Sequence, residues 1–282
     1  MKQPGLHIDL RPLSDAAEIA AIRADYLATL RHPLDDFLDG SFIRPAPHLE
    51  IRVDGRRAGM IVRNQEGRLL LFHLLAPFRD DAVAIFDAIR ASSEGEVPIQ
   101  TATVSTGDPL LLGNALRVGI GAEVSDYLFA EPPDGQSPPP ALAPVAGHRI
   151  TVAGPEDLTG AVAFCRRCVP SAADWLETYL GHLIDRNELY LVTCAGDIRG
   201  SGELRVNDEQ PPWANLGMIV DPAFRRRGLA TFIMRALRQE CRRRGLRAVC
   251  STRVDNVGAQ RAIERAGFIP VHRVLDVAVG RG

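Results

Sequence analysis

Leu216-Gly217-Met218-Ile219-Val220-Asp221-Pro222-Ala223-Phe224-Arg225-Arg226-Arg227-Gly228-Leu229-Ala230-Thr231 is the stretch on which the fold turns. Its first five residues are an apolar run that reads as a buried strand. Asp221-Pro222 closes it, because proline cannot donate to a ladder and favours a turn. A helical pattern then runs on to Arg244. Ala230, Ile233, Leu237 and Cys241 share one face with Met234 beside them, while Arg235, Arg238 and Arg242 are expected to face away. Gly245 suits a C-terminal cap, and Arg242, Arg243 and Arg244 suit the negative end of the helix dipole. A second strand, Ala248 to Val254, is followed by Asn256, a short helix and Gly267-Phe268.

A strand, a turn with glycine as its fourth residue and a helix starting there make an anion cradle. The first-turn amides have no partner inside the helix, and the dipole is positive at that end. Gly228 keeps the approach free of a side chain, Ala230 is the next smallest choice, and Arg225, Arg226 and Arg227 add charge at the rim. Three consecutive arginines also suit a plain solvated turn, and R-x-x-G-x-A alone carries little.

The order of elements carries more. Strand, Arg225-x-x-Gly228-x-Ala230, long helix, strand, Asn256, short helix and Gly267-Phe268 together resemble the GNAT acyltransferase superfamily, over about Trp213 to Val271. The resemblance implies an α/β (α+β) fold: a mixed, mostly antiparallel twisted sheet flanked by helices. It implies acetyl-CoA as acyl donor, its pyrophosphate held at Arg225, Arg226, Arg227, Gly228, Leu229, Ala230 and Thr231. Met218, Ile219 and Val220 would pair with the pantetheine arm, and Asn256 would open the last helix near the thioester.

At 282 residues the chain has room for two domains, and 46% hydrophobic with 24% charged residues is ordinary for a globular protein. No apolar run approaches the ~20 residues of a membrane helix, and the N-terminus lacks the apolar core of a signal peptide, so a cytoplasmic protein is expected. Five scattered cysteines argue against a disulfide framework. Cys165-Arg166-Arg167-Cys168 has no second pair to complete a zinc site and lies in a helical pattern, so packing cysteines and no metal are expected. The net charge of −2 hides an asymmetry: residues 1–140 carry 13 basic and 20 acidic groups, residues 141–282 carry 20 and 15. The second half therefore carries the field that attracts an anion.

The first half repeats the order of the second. Leu13 to Leu30 reads as a helix capped by Ser14 or Asp15, and Leu49 to Val53, Ala58 to Arg63 and Arg68 to Leu75 as strands. Phe78 to Arg90 reads as a helix, Thr101 to Ser105 as a strand and Leu110 to Val118 as a helix. Phe78-Arg79 matches Phe224-Arg225, and Gly119-Ile120 matches Gly267-Phe268, so residues 1–131 form a degenerate GNAT-like copy. Where the cradle should lie, Arg79-Asp80-Asp81-Ala82 has lost the glycine and gained two carboxylates, with Ala82 expected to crowd the site, so no coenzyme A is expected there. Residues 132–147, with six prolines, read as an extended linker. The second domain, residues 148–282, opens with Arg149 to Ala153, two helices (Pro155 to Cys168, Ala172 to Ile184) and a hairpin, Leu189 to Ala195 and Ile198 to Val206, turning at Gly196-Asp197. Val274 to Val279 is its expected closing strand.

Acyl transfer to an amine requires that the nucleophile lose a proton, since an ammonium titrates near ~10. The family's tyrosine acid falls on Ile263 and its strand glutamate on Asn215, so neither group is there. Glu203, on the neighbouring strand, is the candidate base, with Tyr179, Tyr190 and His182 as further candidates. An N-acetyltransferase acting on a small-molecule (or peptide) amine is the reading; a silent acetyl-CoA-binding sensor or scaffold is the alternative. Trp175, Tyr179, His182 and the Asp208–Pro212 loop would line the acceptor side. Contact with nucleic acid through the arginines is disfavoured by a sequence pI near 6.4 and few aromatics. The chain fits a monomer or a homodimer equally.

Overall fold

The structure is a computed structural model that describes residues 6–91, 98–133, 145–169 and 175–280. It divides into two compact units, residues 1–127 with 272–282 and residues 128–271. Most of the proline-rich stretch, 134–144, and the expected helix start at Ala172 lie outside the described residues.

In the first unit, β1 (Ile8–Pro12) leads to α1 (Ala16–Thr29), whose first amides are capped by the Asp15 carboxylate. A short α2 (Asp36–Leu38) and a π turn follow. Then β2 (His48–Val53), β3 (Arg56–Arg63) and β4 (Arg68–Leu74) form an antiparallel meander. A 3-10 helix, Ala76–Asp81, runs into α3 (Ala82–Ala91), followed by β5 (Thr101–Ser105), α4 (Pro109–Val118) and β6 (Gly119–Ala130). β4 and β5 are parallel and pair only at Arg68↔Thr101 and Leu69↔Ala102. Apolar side chains of the sheet, α3 and α4 build one core, with Phe72 edge-on to Phe86.

The second unit opens with β7 (His148–Val152), α5 (Leu158–Cys168) and α6 (Leu176–Asp185). β8 (Leu189–Cys194), β9 (Asp197–Val206) and β10 (Trp213–Val220) are antiparallel neighbours. A 3-10 turn, α7 (Leu229–Arg243), β11 (Arg247–Arg253) and α8 (Val257–Arg265) complete it. The strand order is β11-β10-β9-β8-β7. Pleating sends alternate β9 residues to opposite faces. Positions 200 and 202 meet α7, while Ser201 and Glu203 turn toward α5 and α6.

Four expectations change. Arg238 does not face solvent: it is 2% exposed, its Nε bonds Glu131 Oε1 at 2.5 Å and its Nη1 donates to the Ala266 carbonyl. A partly buried carboxylate and an open helix-end carbonyl supply the partners that let a guanidinium leave water. The β8–β9 turn is Ala195-Gly196, one residue earlier than expected, because Cys194 pairs with Asp197 and both turn residues take positive φ (52° and 88°). The helix expected over Phe78–Arg90 is 3-10 up to Asp81. The closing strand β12 (Ile269–Val279) is longer than expected, and from Val274 it pairs with β5, so residues 272–282 count with the first unit rather than the second.

Candidate active site

Around Gly228 the backbone has the shape its sequence requires. Arg226 (φ 62°) and Gly228 (φ 83°) are both left-handed, which turns the chain sharply from the 3-10 turn into α7. An ideal Cβ at Gly228 would meet no atom within 4 Å, so the demand for glycine comes from φ and the space above it is open. No side chain among the described residues caps α7, leaving the amides of Leu229, Ala230 and Thr231 without a protein partner. Arg225, Arg226 and Arg227 are exposed and pair with no carboxylate among the described residues. Phe224 anchors the turn, with the guanidinium of Arg199 at 4.6 Å and that of Arg227 at 5.2 Å from its ring centroid.

The strand leading to this turn is half open. β10 pairs with β9 as far as Val220↔Gly200, but its parallel pairing with β11 stops at Asn215↔Val249. Beyond Asn215, Leu216 to Val220 therefore have no strand partner on that side among the described residues, Arg225 Nε reaching the Val220 carbonyl at 3.4 Å, and the stretch includes the expected pantetheine-pairing residues Met218, Ile219 and Val220. The parting from β11 explains why Gly217 to Ile219 are only half-buried in an apolar run. Asn256 caps α8 by accepting from the Ala259 amide at 3.2 Å. Strand edge, uncapped amides and the exposed guanidinium groups of Arg225, Arg226 and Arg227 can hold an extended, anionic thioester.

Of the candidate proton-transfer residues, the structure brings two together. Glu203 pairs across the sheet with Gly217 and retains 14% exposure of its side chain. Its Oε2 accepts from the Tyr179 hydroxyl at 2.7 Å and from Arg205 Nη1. Tyr179 in turn meets Trp175, which is 59% exposed, edge-to-face at 5.4 Å. Burial, reinforced by the Glu203 charge, holds the Tyr179 phenol well above its usual range. Arg205 is a partner that sequence reading missed; its place two residues from Glu203, on the same strand face, was the available signal.

The other candidates lie apart from this pair. Tyr190 is buried at the far end of α7, roughly 20 Å from Gly228 by helix rise. There its hydroxyl accepts from Arg244 at 2.6 Å, and burial pushes it up to about 12. His182 is exposed and lines an outer groove with Leu158, Glu177 and Asp185. Ile263 is buried in the core and can donate nothing. Cys165 and Cys168 are buried free thiols, and burial pushes Cys165 up to about 11. No group of residues suited to a metal occurs among the described residues.

The corresponding region of the first unit is closed. The 3-10 helix runs straight into α3, and the Ala82 amide is spent on the Arg79 carbonyl. Ala82 itself points into the core, so the run-on helix, rather than Ala82 crowding a loop, removes the cradle. Arg79 is turned inward onto the Leu74 carbonyl and Asp25. Beside β5, Asp108 caps α4 where Asn256 caps α8, and it accepts from the buried Tyr26 hydroxyl at 3.1 Å.

A family model described as an acetyltransferase (GNAT) domain matches residues 15–132, and one described as the acetyltransferase (GNAT) family matches residues 158–268. An acetyltransferase of the GNAT family from Colwellia psychrerythraea is similar in structure, with a TM-score of 0.88 at 26% identity over 96% of this chain and 100% of that one. A tandem GNAT protein from the clavulanic acid biosynthesis pathway has a TM-score of 0.67 at 17% identity, covering 97% of this chain and 98% of its own. A GCN5-related N-acetyltransferase from Sphaerobacter thermophilus gives 0.64 at 16%, covering 98% and 96%. The last two show likeness of fold alone. No match was found among curated proteins.

Proposed function

The chain belongs to the GNAT acetyltransferase family, with two such domains in tandem, and we propose that its second unit moves an acetyl group from acetyl-CoA to an amine of a small molecule. The observation that carries this reading is the uncapped start of α7 behind left-handed Gly228, beside the part of β10 beyond its pairing with β11. The amides of Leu229, Ala230 and Thr231 bind the pyrophosphate, and Arg225, Arg226 and Arg227 neutralise it. Met218, Ile219 and Val220 offer backbone groups to the pantetheine arm, and Asn256 borders its end. Bound there, acetyl-CoA supplies an activated acetyl group. Glu203 takes the proton of the acceptor ammonium. The first unit binds no coenzyme and packs as a degenerate copy.

Calorimetric titration with acetyl-CoA tests the cradle. One site per chain is expected, and Gly228→Glu should abolish it, because a side chain at φ 83° is strained and a carboxylate there repels phosphate. Unchanged binding by that variant would remove the proposal. The buried Ile263, in place of a donor, favours a second reading, a silent acetyl-CoA sensor. A thiol-release assay across a panel of primary amines separates the two: binding without turnover selects the sensor.

A further inference from the structure

Glu203 sits in an uncommon arrangement for a carboxylate on a sheet. Two donors from different directions converge on one of its oxygens: the Tyr179 hydroxyl from α6 and Arg205 Nη1 from β9 both reach Oε2. No described residue bonds Oε1. The heads of Glu203 and Arg205 lie flat against β10 because position 217 has no side chain: an ideal Cβ there would come within 3.2 Å of Glu203 Oε2 and 3.1 Å of Arg205 Nη1. Gly217 is two residues past Asn215, where β10 has parted from β11. The carboxylate is thus held beside Gly217, one oxygen engaged and the other not.

We infer that Tyr179 and Arg205 are positioning residues for Glu203, which by occupying Oε2 leave Oε1 as the atom that accepts the acceptor's proton. This rests on the reading of the second unit as an acetyltransferase with Glu203 as base. A free carboxylate rotates about its terminal torsion and presents either oxygen; two fixed donors remove that freedom, which is how a neighbouring shell preorganises a catalytic group. Trp175 packs T-shaped against the Tyr179 ring. At Oε1 an O–H bond forms as an ammonium N–H bond breaks, the nitrogen keeps the electron pair, and Glu203 becomes a neutral acid that later returns the proton to water. Cys165, the titratable group facing Glu203 from α5, stays a neutral thiol and does not compete.

The test has a readout independent of turnover. The Glu203 carboxyl carbon is followed by NMR in 13C-labelled protein without acetyl-CoA, assigned by its absence in Glu203→Gln, and titrated in the parent, Tyr179→Phe and Arg205→Gln. Removing a donor from the charged form should move the midpoint up by ~0.5 unit or more in each variant. With acetyl-CoA and the fastest amine of the panel, the acid limb of kcat/KM should move up by the same amount, while the coenzyme Kd stays within twofold. Arg205→Lys, which keeps the charge, should hold the midpoint near the parent's, and Tyr179→Phe carries the test in the case in which Arg205→Gln does not fold. An unmoved midpoint in both donor variants overturns the inference. Glu203→Gln separates the layers: it should lose ~100-fold or more in kcat at unchanged coenzyme Kd. Full turnover by that variant sinks the base reading itself, whatever the donors do.

Discussion

Arg238 shows how a single side chain defeats a pattern read from sequence. Its place in the helical wheel marks it as outward, and two of its neighbours on the same rim, Arg235 and Arg242, are partly or fully exposed. Yet Arg238 is enclosed, holding Glu131, the Ala266 carbonyl and, at 5.5 Å, the ring of Phe268. The wheel registers how often arginine is solvated, but Glu131 lies 107 positions away in sequence, and no local rule reports it. Burial changes what the residue is worth. Removing one partner of a buried pair leaves desolvated polar groups uncompensated, which costs roughly 3 to 5 kcal/mol, whereas an exposed pair contributes about 1 kcal/mol or less. Arg238→Ala should therefore lower stability by at least ~3 kcal/mol in urea titration. Arg242→Ala, which touches the same Glu131 oxygen at 3.0 Å from a more exposed position, should lose less than ~1 kcal/mol. Equal losses would mean that the enclosure of Arg238 carries no extra weight.

Helix starts separate the two units more than any sheet feature does. α7 begins behind a left-handed glycine and keeps its first amides free; α3 begins as the continuation of a 3-10 helix that has already used them. That contrast was legible, because Arg226-Arg227-Gly228 and Asp80-Asp81-Ala82 stand in corresponding places. Other elements were not. β6 opens with mostly exposed residues and has no alternation to detect, and β1 is a five-residue edge strand. The α4 cap carries a further consequence. Asp108 is almost wholly enclosed, and burial pushes its carboxyl up to about 6 from 3.8. The folded state therefore holds this proton more tightly than the unfolded chain. The stability it contributes is complete below about pH 4 and is lost as pH rises through about 6. Roughly two units correspond to about 3 kcal/mol. Asn256 does the same capping in α8 without a charge. Asp108→Asn should keep the cap, flatten the fall in stability between pH 4 and 6, and raise the urea midpoint at pH 7. Parallel pH profiles for the variant and its parent would show that Asp108 is not the group responsible.

At the scale of the molecule, sequence order and spatial grouping part company at the last strand. A linear reading assigns Val274 to Val279 to the second domain, because the repeat ends there. The structure pairs that strand with β5 from Val274↔Ser105 to Ala278↔Thr101. Alternation along β12 marks a strand but not its partner, and pairing across more than 160 residues leaves no local trace. The consequence is that the first unit cannot be cut out as residues 1–131. Val277 and Val279 belong to its core, Arg68 bonds Asp276 at 2.7 Å, and the Thr106 amide donates to the Arg273 carbonyl at 2.8 Å. Two buried valines alone contribute about 3 to 6 kcal/mol by transfer, against a whole-domain stability of about 5 to 15. Deleting residues 272–282 should therefore strip hydrogen-exchange protection from β4 and β5 in the first unit. β9 and β10 of the second unit should remain protected and the Kd for acetyl-CoA within a few-fold, since every residue of the cradle is retained. If β4 and β5 keep their protection after the deletion, β12 is dispensable to the first unit and its pairing with β5 is decoration rather than support.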